Sequence, residues 1–262
     1  MLKTNTDLSE VKRKIASFIR EKVEESQTDG VVLELAGDVN SAVTAHLCVE
    51  ALGSRRVTGL IMPDLRLSME EDIADAKAVA AELCLETKQF DIAPIHKAFM
   101  KFLDENSLAE ENLRTRIRMS LLYYYANLQN RLVSGTADKS QFLLGHFTKY
   151  GSGGADILPI ADLYRGEAMK LGEVLGVNRR IVAKKKVNRR NRAGQAVDSI
   201  SASNFDLDYG TADQIFKLLD DGLDLESIQS RVGTSRPKVE AVIWRSESSS
   251  HKRKRPDICF VH

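Results

Sequence analysis

The sequence predicts an α/β chain: a doubly wound parallel sheet with helices on both faces and a small helical C-terminal extension. Three observations carry this reading. Short β-rich runs alternate with segments of helical period over residues 31–177, as parallel strands joined by crossover helices do. Two of those runs end in glycine turns, at Gly37 and Gly135, beyond the strand ends where such sheets bind ligands. With 262 residues and 43% hydrophobic content, the chain can cover a sheet on both sides.

The first helix is marked by Leu8, Val11, Ile15, Phe18, Ile19 and Val23, which recur at steps of three and four. Gly30 opens a short β-rich run over 31–35 that turns at Ala36, Gly37 and Asp38, and a helical pattern follows from about Asn40 to Leu52. Residues 57–62 read as the next strand, 69–85 as a helix, and Phe90, Asp91 and Ile92 as a third strand. A long helix covers 107–129, a fourth strand 131–135, and a further helix 164–177.

Residues 184–210 lose hydrophobic period and become basic, then rich in Ser and Asp; they read as a mobile loop. Three short helical segments separated at Gly222 and Gly233 follow. The expected organisation is an α/β domain over 1–183, the loop over 184–210, and a helical extension over 211–262 packed on the same domain.

Lys and Arg number 38 against 37 Asp and Glu, so net charge gives no reason to expect a general nucleic-acid binder. Basic residues cluster locally at Lys184, Lys185, Lys186, Arg189, Arg190 and Arg192, and again at Lys252, Arg253, Lys254 and Arg255. A helix-turn-helix rhythm over 225–242 suggests DNA binding, but the neutral composition argues against it. Cys48, Cys84 and Cys259 are widely spaced and form no CxxC pattern, which suits a reducing cytosol. No run approaches the roughly 18 apolar residues that a membrane span needs. These features predict a cytoplasmic protein without a membrane partner.

Several runs then carry a resemblance: LAGDVNSA (35–42), LIMPD (60–64), NLRTRIRM (112–119), NRLVSGT (130–136), FTKYGSGGADILPI (147–160) and HKR (251–253). In this order they are similar to the ammonia-dependent NAD⁺ synthetases of the ATP pyrophosphatase group. The 147–160 run is the most specific of them. The resemblance implies a homodimer that adenylates the carboxylate of nicotinic acid adenine dinucleotide with ATP and Mg²⁺, then lets ammonia displace AMP. The apolar circumference of the long helix at Leu121, Leu122, Tyr123, Tyr124 and Tyr125 also suits a dimer interface.

On the dinucleotide side the resemblance assigns Arg116, Lys149, Asp156, His251 and Lys252 to binding deamido-NAD or NAD⁺. Cations suit a pyrophosphate, and a carboxylate suits ribose or amide donors. On the ATP side the family's turn reads Ser-Gly-Gly-x-Asp-Ser, whereas this chain has Ala36, Gly37, Asp38, Val39, Asn40 and Ser41. Asn40 and Gln141 stand where the family places its metal-binding aspartate and glutamate. Gly135 and Thr136 match the family, Arg165 replaces an ATP-binding lysine, and Gly194 with Gln195 is all that remains of the family's loop motif.

A carboxylate about 4 Å from a phosphate charge costs roughly 4 kcal/mol at an effective dielectric near 20. The helix terminus returns only about 0.3–1 kcal/mol to an anion. Asp38 therefore opposes phosphate unless a cation intervenes. The substitutions imply a relative that keeps its (deamido-)NAD pocket while ATP-dependent amidation is lost or strongly weakened. The alternative is an active ATP-dependent ligase with a rearranged metal site, in which Asp38 and Asp138 replace the lost acids. Asp138 also reads as a helix N-terminal cap three residues before Gln141.

Overall fold

The computed structural model describes residues 7–184 and 208–261. Four parallel strands lie in the order β3-β2-β1-β4: β1 (Gly30–Glu34), β2 (Val57–Ile61), β3 (Glu86–Gln89) and β4 (Arg131–Ser134). The chain winds from β1 through β2 to β3 in one direction and places β4 on the other side of β1. The carboxyl ends of β1 and β4 thus flank the point where strand order reverses, the place where sheets of this kind bind ligands.

Val31, Val32 and Leu33 are wholly buried, as expected of a central strand covered on both faces. One face carries α1 (Leu8–Glu25), α2 (Val39–Leu52), α3 (Glu70–Glu82), α7 (Arg165–Val174) and α8 (Arg179–Val182), packed around Leu33, Val43, Leu47 and Leu171. The other face is covered by α5 (Ser107–Leu128), whose Ile117, Met119, Leu122 and Ala126 pack on Val32, Leu60 and Val133. α2 is apolar on nearly every side because it is enclosed by the sheet, α1 and α7.

The third strand lies before the apolar residues that mark it in the sequence. β3 is Glu86–Gln89, exposed along its whole length, and Phe90 and Ile92 follow it, donating to the Ile61 and Pro63 carbonyls. An edge strand needs no apolar alternation, and its polar residues discourage pairing with other chains. Two short helices also escaped the periodicity: α4 (Ala93–Phe99) and α6 (Lys139–Leu143). Both are shorter than the window over which a helical period can be read.

The C-terminal segments form α9 (Tyr209–Asp220), α10 (Leu225–Val232) and α11 (Arg236–Ser248). Gly233 ends α10 in a left-handed conformation at φ 67°. Ile215, Ile228, Val239 and Val242 pack with Leu144 and Tyr164, so this core is continuous with the segments around α6 and α7. The helix-turn-helix rhythm is a real helix pair, and its apolar residues serve that core. Of the expected mobile loop, residues 185–207 lie outside the described residues; Asp208 already caps α9. Among the described residues no helix is long and apolar enough to cross a membrane.

Leu33→Ala should lower unfolding free energy by about 2–5 kcal/mol, because a fully buried leucine leaves a cavity that its neighbours fill only in part. Val174→Ala, on the exposed end of α7, should stay within about 0.5 kcal/mol. Urea denaturation of both variants checks this, and equal losses would place the core wrongly.

Candidate functional site

The turn after β1 is closed by its own side chains. Gly37 has φ 73°, and a Cβ there would stand 2.0 Å from the Asp72 carbonyl oxygen, so only glycine fits. Asp38 caps α2, accepting from the Ser41 N–H at 2.9 Å. Ser41 Oγ donates to the Asp38 carbonyl and accepts from the Ala36 N–H. The carboxylate of Asp38 therefore occupies the helix N-terminus, where an anionic ligand would otherwise gain. Exposed Ala36 offers no hydroxyl.

Lys184 closes the turn from outside. Its Nζ lies 2.8 Å from Asp75 and 3.5 Å from the Gly37 carbonyl, and it also pairs with Asp72. Burial alone would raise the Asp75 carboxyl, but hydrogen bonds from Lys184 and Arg180 outweigh it and hold the pKa below its ordinary value. A cavity of about 80 Å³ opens beside the turn, between the ends of β1 and β2 and α3. Glu34 and Arg118 face each other across its wall at 3.4 Å.

Across the strand reversal, Asp138 caps α6 in a capping box with Gln141. Asn40, in the first turn of α2, reaches into that box. Its Nδ2 donates to Asp138 Oδ2 at 2.8 Å and to Gln141 Oε1 at 2.9 Å. Asp138 Oδ1 accepts from the Gln141 N–H at 2.8 Å, and Arg165 Nη1 lies 3.4 Å from Asp138 Oδ2. Asn40 is 2% exposed and Asp138 wholly buried. Arg165 stacks over the Tyr209 ring at 5.0 Å.

A metal ion does not fit this arrangement. Magnesium takes oxygen ligands, usually one or two carboxylates together with phosphates. Here an amide nitrogen, which has no lone pair to give, points at one oxygen of each of the other two side chains. Among the described residues no three His, Cys, Asp or Glu side chains gather closely enough to hold an ion. Thr136 sits half-buried just beyond β4, next to Gly135.

The capping network continues beneath. The Arg165 N–H donates to Ser140 Oγ, which in turn donates to Asp213. Burial, helped by the nearby Asp138 charge, raises the Asp213 carboxyl to about 6 against the hydrogen bond from Ser140.

The residues expected on the dinucleotide side surround the loop from Gly145 to Asp156. Exposed Arg116 on α5 donates to the Lys149 carbonyl at 3.3 Å, and Lys149 Nζ lies over the Tyr150 ring. Asp156 accepts from the Val133 N–H at 2.7 Å and from the Tyr123 hydroxyl at 2.8 Å, so it ties the loop to β4 and α5. Lys252 donates to the Gly145 and Phe147 carbonyls at 2.8 and 3.1 Å, and burial lowers its pKa. Asp156 and Lys252 thus hold the loop in place, while Arg116, Lys149 and exposed His251 leave polar groups toward solvent. Tyr123, two helical turns from Arg116 on the same face, and Arg253, which donates to the Phe142 and Leu143 carbonyls, belong to the same frame. The sequence reads Tyr123 only as part of the apolar circumference of the long helix; its seven-residue spacing from Arg116 is the signal that could have found this role.

A second charged cluster went unread in the sequence. Asp64, after β2, is 1% exposed and receives Arg66 and Arg114. Burial works to raise its pKa, yet these two guanidinium groups hold it at about 2. Buried His96 packs against the same cluster, with Arg66 3.2 Å from Nδ1.

The model of the NAD synthase family matches residues 11–256. The chain belongs to the NAD synthase family. Among its relatives, the NH(3)-dependent NAD(+) synthetase of Archaeoglobus fulgidus is 42% identical, covering 97% of this chain and 98% of the relative. The protein of the same name from Methanosarcina mazei is 37% identical, covering 96% and 98%. Solved structures of the same shape include the NH3-dependent NAD synthetase from Campylobacter jejuni in complex with the nitrate ion, at TM-score 0.80 and 31% identity, covering 97% of this chain and 100% of that one. The NMN synthetase from Francisella tularensis superimposes at TM-score 0.82 and 27% identity, covering 97% and 99%. This family member therefore matches synthetases over almost their whole length.

Asp213 provides a pH test of the capping network. Its folded pKa lies above the ordinary 3.8, so the stability that its protonated form gives is complete below about pH 4 and is lost as pH rises through about 6. Asp213→Asn keeps an oxygen for Ser140 and cannot ionise. Its stability relative to the parent should rise by about 1–3 kcal/mol between pH 4 and pH 7, measured by urea unfolding. A difference that stays flat with pH would remove Asp213 from the buried network.

Proposed function

We propose that this member of the NAD synthase family binds the dinucleotide of the synthetase reaction, nicotinic acid adenine dinucleotide or NAD⁺, and that its ATP-dependent amidation is lost or strongly weakened. The observation that carries the second half is the Asn40 amide, which bridges Asp138 and Gln141 where the family's metal ligands would lie. The dinucleotide half rests on Arg116, Lys149, Asp156, His251 and Lys252, grouped around one loop whose backbone is held by Asp156 and Lys252. Arg116 and Lys149 supply cations to a pyrophosphate, and His251 lies at the rim.

ATP is the nucleotide that the family uses, and Ala36, Gly37, Asp38, Ser41, Thr136 and Arg165 are the residues that would meet it. Asp38 meets an incoming phosphate with like charge, so the adenylation step suffers first. The residues around Asn40 do not fit magnesium, because the amide nitrogen occupies the place an oxygen ligand would need.

The second reading is an active ammonia-dependent NAD⁺ synthetase. The comparisons favour it, since relatives bearing that name match nearly the full chain at 35–42% identity. Turnover decides between the two, and dinucleotide binding is common to both. We also infer a homodimer joined through α5, on which Leu108, Tyr124 and Leu128 are large, apolar and exposed. Light scattering should give twice the chain mass.

Lys149→Ala should weaken nicotinic acid adenine dinucleotide by about 10- to 100-fold in calorimetry, as loss of a charged hydrogen bond costs roughly 1.5–3 kcal/mol. Unchanged affinity would leave the loop as inherited shape only. In an assay with ATP, Mg²⁺ and ammonia, the parent should make at most about a hundredth of the NAD⁺ made by an intact relative, the loss expected when transition-state charge goes uncompensated. Robust magnesium-dependent turnover by the parent would establish the second reading instead.

A further inference from the structure

Asp138 is wholly buried, yet its charge is already countered from within the chain. Every group hydrogen-bonded to its carboxylate is a donor: Asn40 Nδ2, the Gln141 N–H and the Arg165 guanidinium. The orientation of Asn40 is fixed by its partners. Turning the amide over would set its oxygen against Asp138 Oδ2 and Gln141 Oε1, exchanging two hydrogen bonds for two contacts between oxygens. It keeps this orientation even though Oδ1 is buried without a hydrogen-bond partner among the described residues. Two bonds made outweigh one acceptor left unmet.

We propose that Arg165, positioned by Asp138 and the Tyr209 ring, is the resident counter-charge of this pocket, so that the pocket takes no divalent cation and needs none to fold. An entering ion would meet an amide N–H and a guanidinium, both repulsive, before it reached a carboxylate oxygen. This deepens the reading of weakened amidation. It concerns the chain without nucleotide, so it can fail while dinucleotide binding stands.

The same geometry says what would create a metal site. In Asn40→Asp an oxygen replaces the nitrogen that lies 2.8 Å from Asp138 and 2.9 Å from Gln141. Three oxygens then converge, and adding Gln141→Glu makes three carboxylates. That double variant should unfold at least about 5 °C lower than the parent without metal, a shift well outside error for a chain of this size, and should recover with Mn²⁺.

The test is an electron paramagnetic resonance titration of Mn²⁺ against excess protein, with thermal unfolding alongside. The parent should leave the free-ion signal undiminished and its melting temperature unmoved, while the double variant should consume the signal and melt higher with Mn²⁺. One Mn²⁺ bound by the parent and lost in Asp138→Asn overturns the proposal. A folded double variant that ignores Mn²⁺ overturns it too, because the amides would not then be what excludes the ion. Should the double variant not fold in either condition, the parent titration alone decides by the same two outcomes.

Discussion

The burial of one carboxylate, Asp138, organises the junction of side chains where the sheet reverses its strand order. A buried ionised acid is tolerated only when its oxygens receive hydrogen bonds and its charge is balanced. Asp138 meets both conditions through three elements: the first turn of α2 through Asn40, α6 through the Gln141 N–H, and α7 through Arg165. A pocket whose charges are already balanced internally attracts a further ion or phosphate weakly.

Two groups of residues differ in what their charges meet. Near the turn after β1, Asp38 sits on the α2 N-terminus and Lys184 is engaged by Asp72 and Asp75, so the charges there largely satisfy one another. Around the loop beyond β4, Asp156 takes the Val133 N–H and the Tyr123 hydroxyl and Lys252 holds backbone carbonyls, which fixes the loop and leaves Arg116, Lys149 and His251 toward solvent.

Much of this was legible in the sequence because it depends on local pattern. The alternation of strands and helices, the glycine turn at Gly37 and the breaks at Gly222 and Gly233 each follow from a few neighbouring residues. The edge strand β3 was misplaced because polar Glu86–Gln89 carries no period, while apolar Phe90 and Ile92 just beyond it do. The spacing of Asp138 and Gln141 disclosed the cap, and the amides at 40 and 141 were visible in the sequence. Their contact was not visible: Asn40 meets Asp138 across 98 residues, and only tertiary packing brings α2 onto α6. The role of Lys252 was hidden likewise, since no sequence pattern separates a lysine that holds carbonyls from one that awaits a phosphate.

The most direct measurement is anomalous diffraction from a crystal of the protein soaked in Mn²⁺. The account predicts no anomalous peak between residues 40, 138 and 141, with Asn40 Nδ2 still within hydrogen-bond reach of Asp138. A peak there, with the Asn40 amide turned to offer its oxygen, would contradict it.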